Sequence, residues 1–131
     1  MRDVVRTEGA PGAIGPYSQG IKIGGLVFTA GQVGFDPATG QFVEGGVEEQ
    51  TRRALENVSA ILEAAGTSLN QAVKVTVFLS DMSLFEAMNG VYKQFFTGTP
   101  PARTTVAVAG LPRNALVEIE CVAALDDGQQ A

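Results

Sequence analysis

Apolar residues in this chain change period several times, and each change marks an element. From Val47 to Ala65, Thr51, Ala54, Leu55, Val58, Ile61, Leu62 and Ala65 recur at spacings of three and four. Glu48, Glu49, Arg52, Arg53, Glu56 and Glu63 fill the opposite face, so the stretch predicts an amphipathic helix. Its acidic first turn suits the helix dipole, and Gly66 is placed to cap the far end. Val73, Val75, Val77 and Leu79 alternate with Lys74, Thr76 and Phe78, which predicts a central strand. Ser83 and Glu86 match a capping box ahead of Phe85, Met88, Val91, Tyr92 and Phe95, a helical stripe that Thr97–Pro101 terminates. Asp3–Thr7 reads as a short edge strand. Ile21–Ile23 and Leu26–Ala30 flank Gly24-Gly25 and read as a tight hairpin, because glycine takes positive φ freely. Pro100–Val108 and Leu116–Ala123 are rich in β-branched and small apolar residues and read as two further strands.

The order is two or three strands, a helix, a strand, a helix and two strands. Two helices cannot cover both faces of such a sheet, so the pattern predicts an α+β fold with both helices on one face. The uncovered apolar strand face then predicts a homo-oligomer packed sheet to sheet. Between the first strands, Glu8–Gly20 is too rich in Gly and Pro for a regular element and reads as a shaped loop, while Asp36–Gly40 is a turn by composition.

At 131 residues the chain is expected to be a single domain, 1–131, long enough to bury a core without disulfides or metal. Nine Lys and Arg against 14 Asp and Glu give a net charge of −5 with no basic cluster, which argues against a nucleic-acid partner. Histidine is absent, removing Ser-His-Asp and Cys-His arrangements and the usual zinc sets. The first residues lack an apolar core of the signal-peptide kind and no window approaches 18 apolar residues, so the expectation is a cytoplasmic protein with no membrane partner.

Chemistry must therefore come from Arg, Glu, Tyr, hydroxyls, backbone and water. Arg103 opens an apolar strand, and its five fixed N–H donors suit a small organic acid as well as an ordinary ion pair. Glu118 and Glu120 share one face of the last strand. Tyr17 lies in the Gly/Pro loop as either a core plug or a lid over a ligand. Gly31 marks a bulge or a place where a ligand reaches the backbone N–H. Asn89 interrupts the apolar stripe of the second helix and faces a pocket or solvent. Cys121, the single cysteine, lies among apolar neighbours and reads as a small hydrophobe before it reads as a nucleophile.

Ala13-Ile14-Gly15-Pro16-Tyr17-Ser18-Gln19-Gly20, Phe28-Thr29-Ala30-Gly31-Gln32, Pro101-Ala102-Arg103 and Val117-Glu118-Ile119-Glu120 stand in the order and spacing of one family. From about Thr7 to Ala124 the chain closely resembles the RidA family, also called YjgF or L-PSP. The resemblance implies a chorismate-mutase-like α+β fold and a homotrimer with sites in the clefts between subunits. It further implies hydrolytic deamination of 2-imino and 2-enamino acids, such as 2-aminoacrylate and 2-iminobutyrate, to 2-keto acids and ammonia without a cofactor. Carried over by position, it makes Arg103 the clamp for the substrate carboxylate and Glu118 the group that orients or activates water. Gly31 offers its N–H, Tyr17 lines or closes the cleft, and Asn89 is the polar residue near the site. Many relatives have a cysteine two residues after the arginine; Thr105 stands there in this chain, and its hydroxyl still allows a hydrogen bond.

If the last two strands form a simple antiparallel hairpin centred near Pro112, Glu118 falls opposite about Val106, about 10 Å from Arg103 and on the other face. A one-chain site then fails. Either the pairing is offset, or Arg103 meets a carboxylate of a neighbouring chain, and a cleft site prefers the second. Val33, Phe35, Leu84 and Phe85 are further candidates for shaping a pocket, with no direction fixed. The runner-up function is a non-catalytic module that senses small carboxylates such as 2-keto acids in the same cleft. RNA cleavage ranks last because of the charge and the missing histidine.

Overall fold

The computed structural model describes residues 1–125. Eight elements follow one another: β1 (Asp3–Val5), β2 (Gly20–Ile23), β3 (Leu26–Thr29), α1 (Val47–Ala64), β4 (Ala72–Leu79), α2 (Phe85–Tyr92), β5 (Ala102–Ala107) and β6 (Val117–Ala124). The strands form one mixed sheet in the order β1-β2-β3-β6-β4-β5. This is the α+β architecture expected from the pattern, with α1 packed on β6 and against α2. The hairpin turn is as read: Gly24 and Gly25 have φ of 57° and 79°, and Ile23 pairs with Leu26.

The pairing of the last two strands is not the hairpin considered from sequence. β5 runs parallel to β4, and β6 inserts antiparallel between β3 and β4, so β5 and β6 never touch as neighbours. β3 and β4 consequently run the same way. α1 bridges β3 to β4 and α2 bridges β4 to β5, two crossovers stepping in one direction across the sheet. The shared handedness of such connections places both helices on one face.

That face carries the core. Val27, Val75, Val77, Leu79, Val117, Ile119, Cys121 and Ala123 alternate out of the strands to meet Leu55, Val58, Ile61, Leu62 and Met88 of the helices, all buried. Truncating a residue such as Leu55 or Ile61 to alanine costs about 2–5 kcal/mol in cores of this kind. α1 ends where expected: Gly66 takes φ 97°, its N–H bonds to Glu63 O, and Thr67 N–H bonds to Leu62 O. The opposite sheet face has no helix, and Val4, Phe28 and Val106 stand exposed on it.

The start of α2 departs from the sequence reading. Asp81, rather than Ser83, caps the turn: its Oδ1 accepts Ser83 N–H at 2.8 Å, closing a 3₁₀ turn over Met82–Leu84 before α2 begins. That bond holds the Asp81 carboxyl below its usual pKa. Asp outcompetes Ser here because it stands outside the turn with extended backbone, where a cap belongs.

Candidate functional site

The sequence-chosen residues fall into two groups on opposite faces of the sheet. In the first, β5 brings Arg103 and Thr105 up beside α2, since both pair with the buried Val75 and Val77 of β4 and share their face. Arg103 Nη1 donates to Asn89 Oδ1 at 2.7 Å. The guanidinium carbon lies 4.6 Å from the Tyr92 ring centroid and 5.6 Å from that of Phe85. Ring faces thus hold the cation through its plane, leaving in-plane donors at its edge. Among the described residues no carboxylate lies within ion-pair distance of it. The ordinary ion pair that the sequence allowed is therefore not formed within those residues, and Asn89 faces the guanidinium rather than solvent alone. Tyr92 Oη and Thr105 Oγ1 are buried beside it without a hydrogen-bond partner. Burial raises the Tyr92 pKa, and the charge of Arg103 opposes the rise.

The second group surrounds Glu118. A cavity of about 480 Å³ is lined by Pro11, Ile14, Tyr17, Gly31, Val33, Phe35, Arg113 and Glu118, among others. Tyr17 is 51% exposed and lines this cavity, so it is not a core plug. A Cβ on Gly31 would overlap Glu118 Oε2, so the bare backbone here is a steric requirement of the carboxylate. Gly31 N–H meets no acceptor among the described residues, whereas Gln32 on its far side exchanges both backbone bonds with Ile119. Burial, and secondarily Glu120, push the Glu118 carboxyl above its ordinary pKa of 4.5.

Arg103 lies in register with Val75, and Glu118 with Phe78. They are offset by three residues and two strands, about 10 Å along and about 10 Å across, and their side chains leave opposite faces. Within one chain they stand apart, and what separates them is β4 lying between β5 and β6 rather than the simple hairpin considered from sequence, which left an offset pairing open as the alternative. Val33 and Phe35 line the Glu118 cavity, while Phe85 lies beneath Arg103; Leu84 packs against the core.

Three buried amides missed by the sequence reading hold the cavity walls. Gln19 takes Thr7 N–H and donates to the carbonyls of Thr7, Ala10 and Pro11, fixing the loop that carries Ile14 and Tyr17. Gln50 accepts Leu116 N–H at 2.9 Å, and Asn57 donates to Val33 O and Phe35 O at 3.2 and 2.9 Å. Val47, Gln50, Ala54, Asn57 and Ile61 follow a strict three-four spacing on α1, and two amides inside an apolar stripe were the available signal. Cys121 is buried and its thiol is pushed up to about 12, so it behaves as a small hydrophobe and not as a thiolate.

Residues 7–125 match the family model described as Endoribonuclease L-PSP. The chain belongs to this L-PSP, or RidA, family. Within it, the chain is 54% identical over 123 residues to a RutC family protein of Pyrococcus horikoshii, covering 94% of this chain and 98% of the relative. It is 49% identical over 123 residues to the 2-iminobutanoate/2-iminopropanoate deaminase of Mus musculus, covering 94% and 91%. The crystal structure of E. coli TdcF with bound serine superposes with a TM-score of 0.90 at 45% identity, covering 95% of this chain and 99% of that one. The mixed sheet with two helices on one face is thus the L-PSP fold, and relatives at this level of identity include named imine deaminases. Among the described residues no helix is long and apolar enough to cross a membrane.

Proposed function

We propose that the protein hydrolyses 2-imino and 2-enamino acids, such as 2-iminobutyrate and 2-aminoacrylate, to 2-keto acids and ammonia, in clefts between subunits of a homotrimer. The observation that carries this reading is Arg103: a partly buried guanidinium held by Tyr92, Phe85 and Asn89, with its remaining donors unclaimed by any described carboxylate. Such a cation is preorganised for an anion, and the imino acid supplies a carboxylate. The Glu118 cavity of a neighbouring subunit completes the cleft, which explains why one sheet keeps the two groups on opposite faces. The exposed Val4, Phe28 and Val106 supply apolar surface for that contact.

The chemistry needs little more. With the carboxylate on Arg103, the imine carbon is electrophilic and Glu118 positions a water against it. Ionised Glu118 takes one proton of the water as its oxygen bonds to C2 of the N-protonated imine, whose C=N π electrons pass to nitrogen, giving a neutral 2-amino-2-hydroxy acid. The same proton passes to the nitrogen, C–N cleavage releases ammonia, and the hydroxyl proton leaves as the keto group forms. An enamine first takes a proton from solvent at C3 and becomes the N-protonated imine directly. Gly31 N–H and Thr105 Oγ1 are the polar atoms set to hold the acid and the water, with Tyr17 and Asn89 flanking them.

The test generates 2-iminobutyrate in situ with an amino-acid oxidase and follows keto-acid release. Wild type is expected to accelerate it, and Arg103→Ala and Glu118→Gln each to lose most of the acceleration. No acceleration by wild type, with saturable 2-ketobutyrate binding that Arg103→Ala removes, would establish the sensor instead. Sedimentation of a monomer at micromolar concentration would overturn the trimer.

A further inference from the structure

The cavity beside Glu118 is larger than a four-carbon acid requires; its 480 Å³ lies in the range that encloses ligands of drug size. Its walls beyond the carboxylate are apolar, formed by Ile14, Val33, Phe35 and Pro112, and then Arg113 interrupts them. Arg113 has φ 53° and ψ 32°, and Asn114 has φ 61°. Two consecutive non-glycine residues in the left-handed region are uncommon, and such conformations concentrate where a chain must present a side chain. Here the turn lays the guanidinium over Phe35, 5.1 Å from its centroid, with Nη2 3.4 Å from Gln41 Oε1. Phe35 in turn packs against Phe42, with ring centroids 4.5 Å apart and planes tilted by 42°. Glu118 lines the same cavity without pairing with Arg113, and no other described carboxylate pairs with it.

We propose that Arg113 is a specificity residue that selects imino acids with a second carboxylate at the end of the side chain, the imines of dicarboxylic amino acids. The inference rests on the deaminase reading above. With the reacting carbon beside Glu118 and the first carboxylate on Arg103 of a neighbouring subunit, the substrate side chain extends along Val33 and Phe35 toward Arg113. An acidic terminus gains a charge-assisted bond there, and a neutral one gains none. Arg113 also offsets the repulsion between that terminus and Glu118.

The experiment compares imines made in situ by flavin oxidases from glutamate, glutamine and 2-aminobutyrate. The glutamate and glutamine imines have nearly the same shape and differ in charge. Wild type is expected to favour the glutamate imine over the glutamine imine by about tenfold in kcat/KM, the scale of one charge-assisted bond. Arg113→Gln should collapse that ratio toward one, and Arg113→Lys should keep part of it. A wild-type ratio near one, or equal losses on all three imines in Arg113→Gln, overturns the proposal. Calorimetric binding of 2-oxoglutarate and 2-oxobutyrate provides a readout that needs no turnover. If no imine is hydrolysed, the deaminase reading fails, while an Arg113-dependent preference for 2-oxoglutarate still upholds this selection; no such preference sinks it.

Discussion

The Arg103 and Glu118 regions treat charge in opposite ways. Around Arg103 the supports are ring faces and one amide oxygen, which steady the cation without neutralising it. Around Glu118 the walls are mostly apolar, and burial together with the like charge of Glu120 makes protonation easier. The first region sits on regular elements, β5 and α2. The second is mostly loop, tied down by side-chain amides of Gln19, Gln50 and Asn57. Within one chain the sheet stands between guanidinium and carboxylate, so the two form no salt bridge there.

The strongest way to break this comparison is Arg103→Ala, which should cost about 2–3 kcal/mol or more in transition-state free energy for 2-iminobutyrate, read as kcat/KM. Mixing that variant with Glu118→Gln after unfolding and refolding together sharpens it. Half the chains then supply Arg103 and half supply Glu118, so one cleft in four is whole and about a quarter of wild-type activity should return. No recovery in assembled mixtures would place both groups in one subunit's site.

Glu118→Gln alone should lower kcat more than KM, and its pH dependence carries a sign. The folded carboxyl binds its proton more tightly than the ordinary value of 4.5, so its contribution to stability is fully present below that value and lost as pH rises through the raised one. Thermal melts should therefore show Glu118→Gln gaining on wild type as pH increases over that window. Activity should rise over the same window in wild type, because the base must be ionised, and this limb should vanish in the variant.

Smaller effects separate the two regions further. Gly31→Ala forces Glu118 aside and should cost about tenfold in kcat, with Arg103-dependent binding of 2-ketobutyrate retained. Tyr92→Phe keeps the ring beneath Arg103 and deletes a buried hydroxyl that has no partner. It should leave stability equal or raise it by up to about 1 kcal/mol, measured by denaturant melts. A clear loss would mean that the hydroxyl finds a partner in the assembled protein.

Much of this was legible in the residues. Period-two alternation in β4, the three-four stripe of α1 and the paired glycines after β2 identified their elements because each is a local cause. The order β6-β4-β5 was not legible: strand pairing is decided by which apolar faces meet across the chain, and consecutive strands are only commonly neighbours. Arg103 was found because a guanidinium in an apolar strand demands an explanation. Its cradle was not, since Phe85 and Tyr92 read as core and only the parallel register of β5 brings Arg103 beside them. Arg113 escaped notice because a turn of Leu, Pro, Arg and Asn gives no sign that two residues will take positive φ.

Cys121 gives the chain a built-in clock. Its sulfur is sealed between β4 and the helices, opposite Val75, and its thiolate is suppressed. A thiol reagent must wait for β6 to separate from the helical layer, so the labelling rate counts openings of the strand that carries Glu118. With no second cysteine in the chain, every labelling event has a single address.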